Sequence, residues 1–175
     1  TANIAPELTL QKDQGYFLVQ FDGPITPDRS GWLSTVSEVL AYIPDYAYVV
    51  RGGDLSSLRA HPGVRYVGPF QPAFKLEPRL SFSKDMTDLA ILCFDRLDYP
   101  LVVERLLELG AEIVRVDPLM IQARAPGALA LAIAFIPEVQ WVEKYNPPEL
   151  TNNAAAKILK VRSQNDGAYN WGTTS

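Results

Sequence analysis

Short apolar runs along this chain alternate with stretches in which apolar residues recur every three or four positions. The pattern is clearest in the second half. Residues 89–94, Leu-Ala-Ile-Leu-Cys-Phe, form an apolar run of strand length. Over 98–110, Val102, Leu106 and Leu109, with Val103 and Leu107, fall on one broad stripe, the period of an amphipathic helix. Asp98 is placed to cap that helix, Pro100 stands in its first turn and Gly110 supplies the stop. Residues 112–116 and 119–125 predict two strands joined by a turn at Asp117-Pro118. Pro126 opens a second helix over 128–136, Pro137 closes it, and 139–145 predicts the last strand. The order is β-α-β-β-α-β.

The first half follows the same plan less distinctly. Residues 16–21 predict a strand. Thr26-Pro27 is a cap followed by proline at the first helical position, and Trp32, Val36, Val39, Leu40 and Ile43 recur at helical spacing. Residues 46–51 predict a strand, 54–60 a short helix and 64–70 the last strand. The chain also repeats itself: Val64-Arg65-Tyr66-Val67 with Pro62 before it matches Val139-Gln140-Trp141-Val142 with Pro137, and Phe21-Asp22 matches Phe94-Asp95. Residues 73–88, with Pro78 and a polar run at 81–85, read as a linker. The expected fold is α+β: two tandem ferredoxin-like βαββαβ modules, each an antiparallel sheet with helices on one face, followed by an extended tail and a short helix. The expected boundaries are 1–82, 83–150 and 151–175.

Helices on one face leave the other face of each sheet to solvent or a partner. Period-two alternation in the last strand puts Trp141, Glu143 and Tyr145 on one side and Gln140, Val142 and Lys144 on the other. With Val142 under the helices, an aromatic-acid-aromatic stripe remains on the open face. Such a stripe fits a protein interface, and equally fits packing against the first module or the tail.

Composition narrows the classes. The chain has 175 residues, 20 acidic against 16 basic, a net charge of −4 and no basic stripe, which argues against a nucleic-acid partner. No apolar run approaches the ~20 residues that span a bilayer, so no membrane partner is expected. The chain opens on Thr1-Ala2-Asn3 with no charged, then apolar leader, as after removal of a signal peptide or trimming. Cys93 is the single cysteine and reads as a small buried hydrophobe; His61 is the single histidine and precedes a Pro-Gly turn. Neither makes a metal site. There is no Gly-x-Ser-x-Gly, Gly-x-Gly-x-x-Gly, P-loop or His-Glu-x-x-His, so no cofactor is expected and the chain is not expected to be an enzyme.

Two segments carry a family resemblance. The apolar helix at 128–136, followed by Pro137-Glu138-Val139-Gln140-Trp141-Val142-Glu143, resembles the C-terminal half of subtilisin propeptides. The segment from Pro147 through Val161 resembles the junction between propeptide and mature enzyme in a branch of large alkaline subtilases. The resemblance implies the secreted propeptide of a subtilisin-like serine protease, acting as intramolecular chaperone and inhibitor, with that protease's catalytic domain as partner and the catalytic triad elsewhere in the precursor. It implies that the open sheet face docks on two protease helices, with Glu143 capping their N-termini; the second acid common in the family is Tyr145 here, and Gly68 and Phe70 stand at the matching places of the first module. It implies a product-like tail over Asn146, Pro147, Pro148, Glu149, Leu150 and Thr151, a scissile bond at Thr151–Asn152 with Leu150–Thr151 as second choice, and a helix of the mature domain over 154–161. Two other readings stay open: a ferredoxin-like regulatory module binding a small molecule, and a free-standing protease inhibitor.

Overall fold

A computed structural model describes residues 5–11 and 14–147, and the compact unit ends at Tyr145. The first module comprises β1 (Tyr16–Phe21), α1 (Pro27–Val36), β2 (Glu38–Ile43), β3 (Ala47–Arg51), α2 (Leu55–Ala60) and β4 (Val64–Pro69). The second comprises β5 (Met86–Cys93), α3 (Tyr99–Glu108), β6 (Glu112–Val116), β7 (Ile121–Pro126), α4 (Leu129–Ala134) and β8 (Val139–Lys144). The sheets run in the orders β2-β3-β1-β4 and β6-β7-β5-β8, antiparallel throughout. Two tandem ferredoxin-like modules are therefore present. The expected tail beyond Pro147 and the helix over 154–161 lie outside the described residues.

Local chemistry explains most of the element ends. Thr26 caps α1 by accepting the Arg29 N–H, with Pro27 at the first helical position. Asp54 caps α2, accepting from the Ser56 N–H. Asp98, the expected cap of α3, makes no capping bond; Asp95 does that work one turn earlier, accepting the Leu97 N–H at 2.9 Å at the head of a 3-10 turn. The turn from β3 into α2 passes over the end of α1, where a Cβ on Gly53 would lie 2.8 Å from the Val36 carbonyl; with φ at +104°, only glycine fits.

Two expectations fail instructively. Helical spacing carried α1 on through Ile43, but Ser37 ends the helix by donating its N–H to the Leu33 carbonyl, and Val39, Leu40 and Ile43 belong to β2. The 73–88 segment is no free linker. Phe74 packs on the first sheet, Lys75, Leu76 and Leu80 are buried, and Met86 already begins β5. Leu76 forms a parallel bridge to Val142, and the Glu77 N–H donates to the Val142 carbonyl at 2.9 Å. The backbone of the connection thereby covers part of the free edge of β8.

Each module has a core between sheet and helices. In the first, Phe17, Val19, Phe21 and Val50 meet Leu33 and Leu58; in the second, Leu89, Ile91, Ile121 and Val142 meet Val102, Leu106 and Ile133. A third cluster has no counterpart in the second module. Tyr16, Val49 and Phe70, with Leu18, Leu40, Ala41 and Ile43, lie on the far side of the first sheet and are covered by Phe74 and by Phe94 from the end of β5.

Candidate functional site

The open face of the second sheet is built by pairing register. Val142 pairs with Ile91 and is fully buried under the helices, as alternation required. A register shift between Leu92 and Cys93 leaves Gln140 without a partner position, so Val139 also reaches the helix side; simple alternation missed this bulge. Trp141 and Glu143 then stand on the helix-free face, opposite Leu92 and Ala90. Both are half-buried, and the Trp141 Nε1–H donates to Glu143 Oε2 at 2.9 Å. The acid is thus oriented within the strand rather than projecting freely. Tyr145 lies just past the strand, its N–H donating to the Asp88 carbonyl at 2.8 Å. Beside these residues the face carries Gln122 and the Arg124–Asp88 ion pair at 3.0 Å, whose hydrogen bonds raise the Arg124 pKa. The face thus mixes these polar groups with Trp141, Leu92, Ala90 and the position of Tyr145.

Asn146 and Pro147, the first residues of the expected tail, are exposed and outside any regular element. Pro148, Glu149, Leu150, Thr151 and Asn152, and with them both proposed scissile bonds, lie outside the described residues.

A second assembly of polar groups, not foreseen from sequence, sits where the modules meet. Phe94 stacks on Tyr16 with centroids 5.5 Å apart and meets Phe70 edge-on at 5.8 Å. Lys75 is 1% exposed, and its Nζ donates to the carbonyls of Ile136 and Pro137, at 2.7 and 3.2 Å, just past α4. Burial pulls its pKa down to about 7, against the opposing pull of Glu138 and Cys93. Burial also pushes the Cys93 thiol up to about 12, which fits the expected inert hydrophobe. Arg51 donates two hydrogen bonds to Glu38 and stands 3.7 Å from Asp98 of the second module. Desolvation raises the Asp98 pKa. One sequence signal pointed here: a segment read as a linker carries Phe74, Leu76 and Leu80, more large apolar residues than a solvated connection needs.

Among the described residues, no group of three or more His, Cys, Asp or Glu side chains is placed to hold a metal ion, and no helix is long and apolar enough to cross a membrane. A groove of about 400 Å³ on the second module is lined by Leu101, Leu109 and Phe135 among others.

A family model described as a domain of unknown function, DUF8729, matches residues 1–71, the first module with its N-terminal arm. No curated protein matches the chain. Among solved structures, the small subunit of acetolactate synthase from Thermotoga maritima is similar at 14% identity, covering 75% of this chain and 92% of its own, with a TM-score of 0.24.

Proposed function

We propose that this chain is a non-catalytic protein-binding unit, the propeptide of a secreted subtilisin-like serine protease, which assists folding of the catalytic domain and then inhibits it. The observation that carries the reading is the second sheet's helix-free face, with Trp141 and Glu143 locked side by side on the strand that leads directly into the Pro-rich segment. A docking face and an inhibitory tail must be covalently adjacent if one is to deliver the other. The order β8, Tyr145, Asn146, Pro147 meets that requirement. The first module supports the reading by elimination, because Phe74 and Phe94 already cover the equivalent face of its sheet. The resemblance of 128–143 and 147–161 to subtilase precursors names the partner.

Glu143 serves in this scheme as an acceptor for helix N-terminal N–H groups of the protease. Trp141 fixes its rotamer and adds a large contact surface. The test is inhibition of the catalytic domain of the same precursor by the separately purified chain. Inhibition is expected in the micromolar range or better. Glu143→Ala is expected to weaken it tenfold to a hundredfold, the equivalent of ~1.5–3 kcal/mol for a charge-assisted hydrogen bond. Absence of inhibition, or peptide hydrolysis that persists in the purified chain, overturns the proposal.

A further inference from the structure

Lys75 is the one buried charged side chain among the described residues, and its surroundings are specific. The backbone around it belongs to the connection between the modules. Its amine reaches the end of α4 in the second module, and its Nζ lies 5.9 Å from the centroid of Phe70, which follows β4 of the first. Phe70 contacts Phe74 and Phe94, the two rings that cover the first sheet. The side chain therefore ties the connection, the α4 end and the aromatic cover together.

Counting hydrogens decides which form fits. An uncharged amine has two N–H groups, and two carbonyl oxygens receive them, Ile136 and Pro137. An ammonium has three. The third finds no acceptor among the described residues, only the Phe70 ring near the outer limit of a cation–π contact. A buried charge lacking a full set of partners is costly. Two acidic groups face the amine. Glu138, half-buried beyond α4, favours the charge when ionised, and Cys93 of β5 favours it only as a thiolate, which burial opposes. Further out, Asp98 and Arg51 act on the same cluster with opposite signs.

We propose that Lys75 is a proton-sensitive lock between the two modules: as an uncharged amine it holds the junction closed, and protonation loosens it. The inference concerns the chain alone and stands independently of the partner proposed above. The sign follows from linkage. The unfolded chain binds the lysine proton up to a pH near 10.5, whereas burial lowers the folded value to about 7. Between those values raising the pH favours the folded junction. The contribution is fully present above 10.5 and is lost as the pH falls through about 7.

The direct test is a ¹³C NMR titration of the Lys75 Cε in the intact chain. A midpoint near 7 is expected, and Glu138→Gln is expected to move it lower still. A midpoint at the ordinary lysine value, or one that Glu138→Gln raises or leaves unmoved, overturns the proposal. The second test follows hydrogen exchange at the Glu77 N–H, which donates to the Val142 carbonyl and so joins the connection to β8. After correction for intrinsic rates, acidification from pH 9 to 7 is expected to speed opening by up to about tenfold per pH unit in the wild type. Lys75→Met, which takes up no proton, is expected to show no such rise. Equal pH dependence in the two proteins overturns the lock. Should Lys75→Met not fold, the wild-type and Glu138→Gln titrations decide alone.

Discussion

Strand for strand, the two sheets correspond in register. Tyr16, Arg51 and Phe70 of the first hold the places of Asp88, Arg124 and Tyr145 in the second. One step along, Leu18 lies between Val49 and Gly68, while Ala90 lies between Gln122 and Glu143. The charged pair differs: Glu38 and Glu112 lie across from Arg51 and Arg124, but Arg51 bonds Glu38 whereas Arg124 turns to Asp88. Yet one helix-free face is largely apolar and covered by Phe74 and Phe94, and the other mixes Trp141, Leu92 and Tyr145 with Asp88, Gln122, Arg124 and Glu143. A shared topology thus fixes where a second face lies but not what it does. A handful of positions, Val49 against Gln122 and Gly68 against Glu143 among them, separate an internal seam from an external surface.

That contrast breaks most severely at the ring that covers the first sheet. Phe94→Ala is expected to cost about 3 kcal/mol in denaturant unfolding, in the range for truncating a packed phenylalanine. Trp141→Ala, on the bare face, is expected to stay within about 1 kcal/mol. Equal losses from the two substitutions would mean that the faces are not differently employed. A finer comparison uses one register position in both modules. Val49→Ala is expected to cost about 2 kcal/mol and Gln122→Ala about 0.5 kcal/mol or less, again by equilibrium unfolding. The smallest effect concerns the helix starts. Asp54 accepts hydrogen bonds from the Ser56 and Ser57 hydroxyls and the Ser56 N–H, which hold its carboxyl down at about 2, whereas α4 begins at Ala128 with no side-chain cap. Its stabilisation is present in full above the unfolded value near 3.8 and is lost as the pH falls through about 2. Asp54→Ala is therefore expected to be less stable than wild type at pH 7 and nearly equal to it at pH 2, followed by thermal melts.

The same contrast explains what could be read from sequence. In the second module the bounds of β6 were legible, because the left-handed Gly110 before it and the Asp117 turn after it, whose carboxylate accepts from the Leu119 and Met120 N–H groups, bracket the strand. In the first module Val39 faces the helix-side core while Leu40, Ala41 and Ile43 face the seam, with a bulge between Val39 and Ala41. Apolar residues on both faces erase the period of two, and helical spacing then fitted by coincidence. The repeat was visible, but its alignment at Phe21 was one residue off. In the structure Phe21, opposite Val64, occupies the place of Cys93, opposite Val139. This releases Phe94 to cross to the other module. Trp141 and Glu143 were recognisable by parity, though their mutual hydrogen bond was not. Lys75 was illegible, since a lysine between Phe74 and Leu76 becomes remarkable only when the connection is seen to be buried.

The bridge from Leu76 to Val142 has a practical side for anyone dividing this chain into parts. A gene fragment starting at residue 83 would encode every strand and helix of the second module, yet would omit the backbone that covers the rim of β8 and the lysine beneath α4. One starting at Pro72 would carry both. The seam in the sequence and the seam in the solid differ by about ten residues, and only the second is a place where the chain can be cut without exposing an edge to its neighbours.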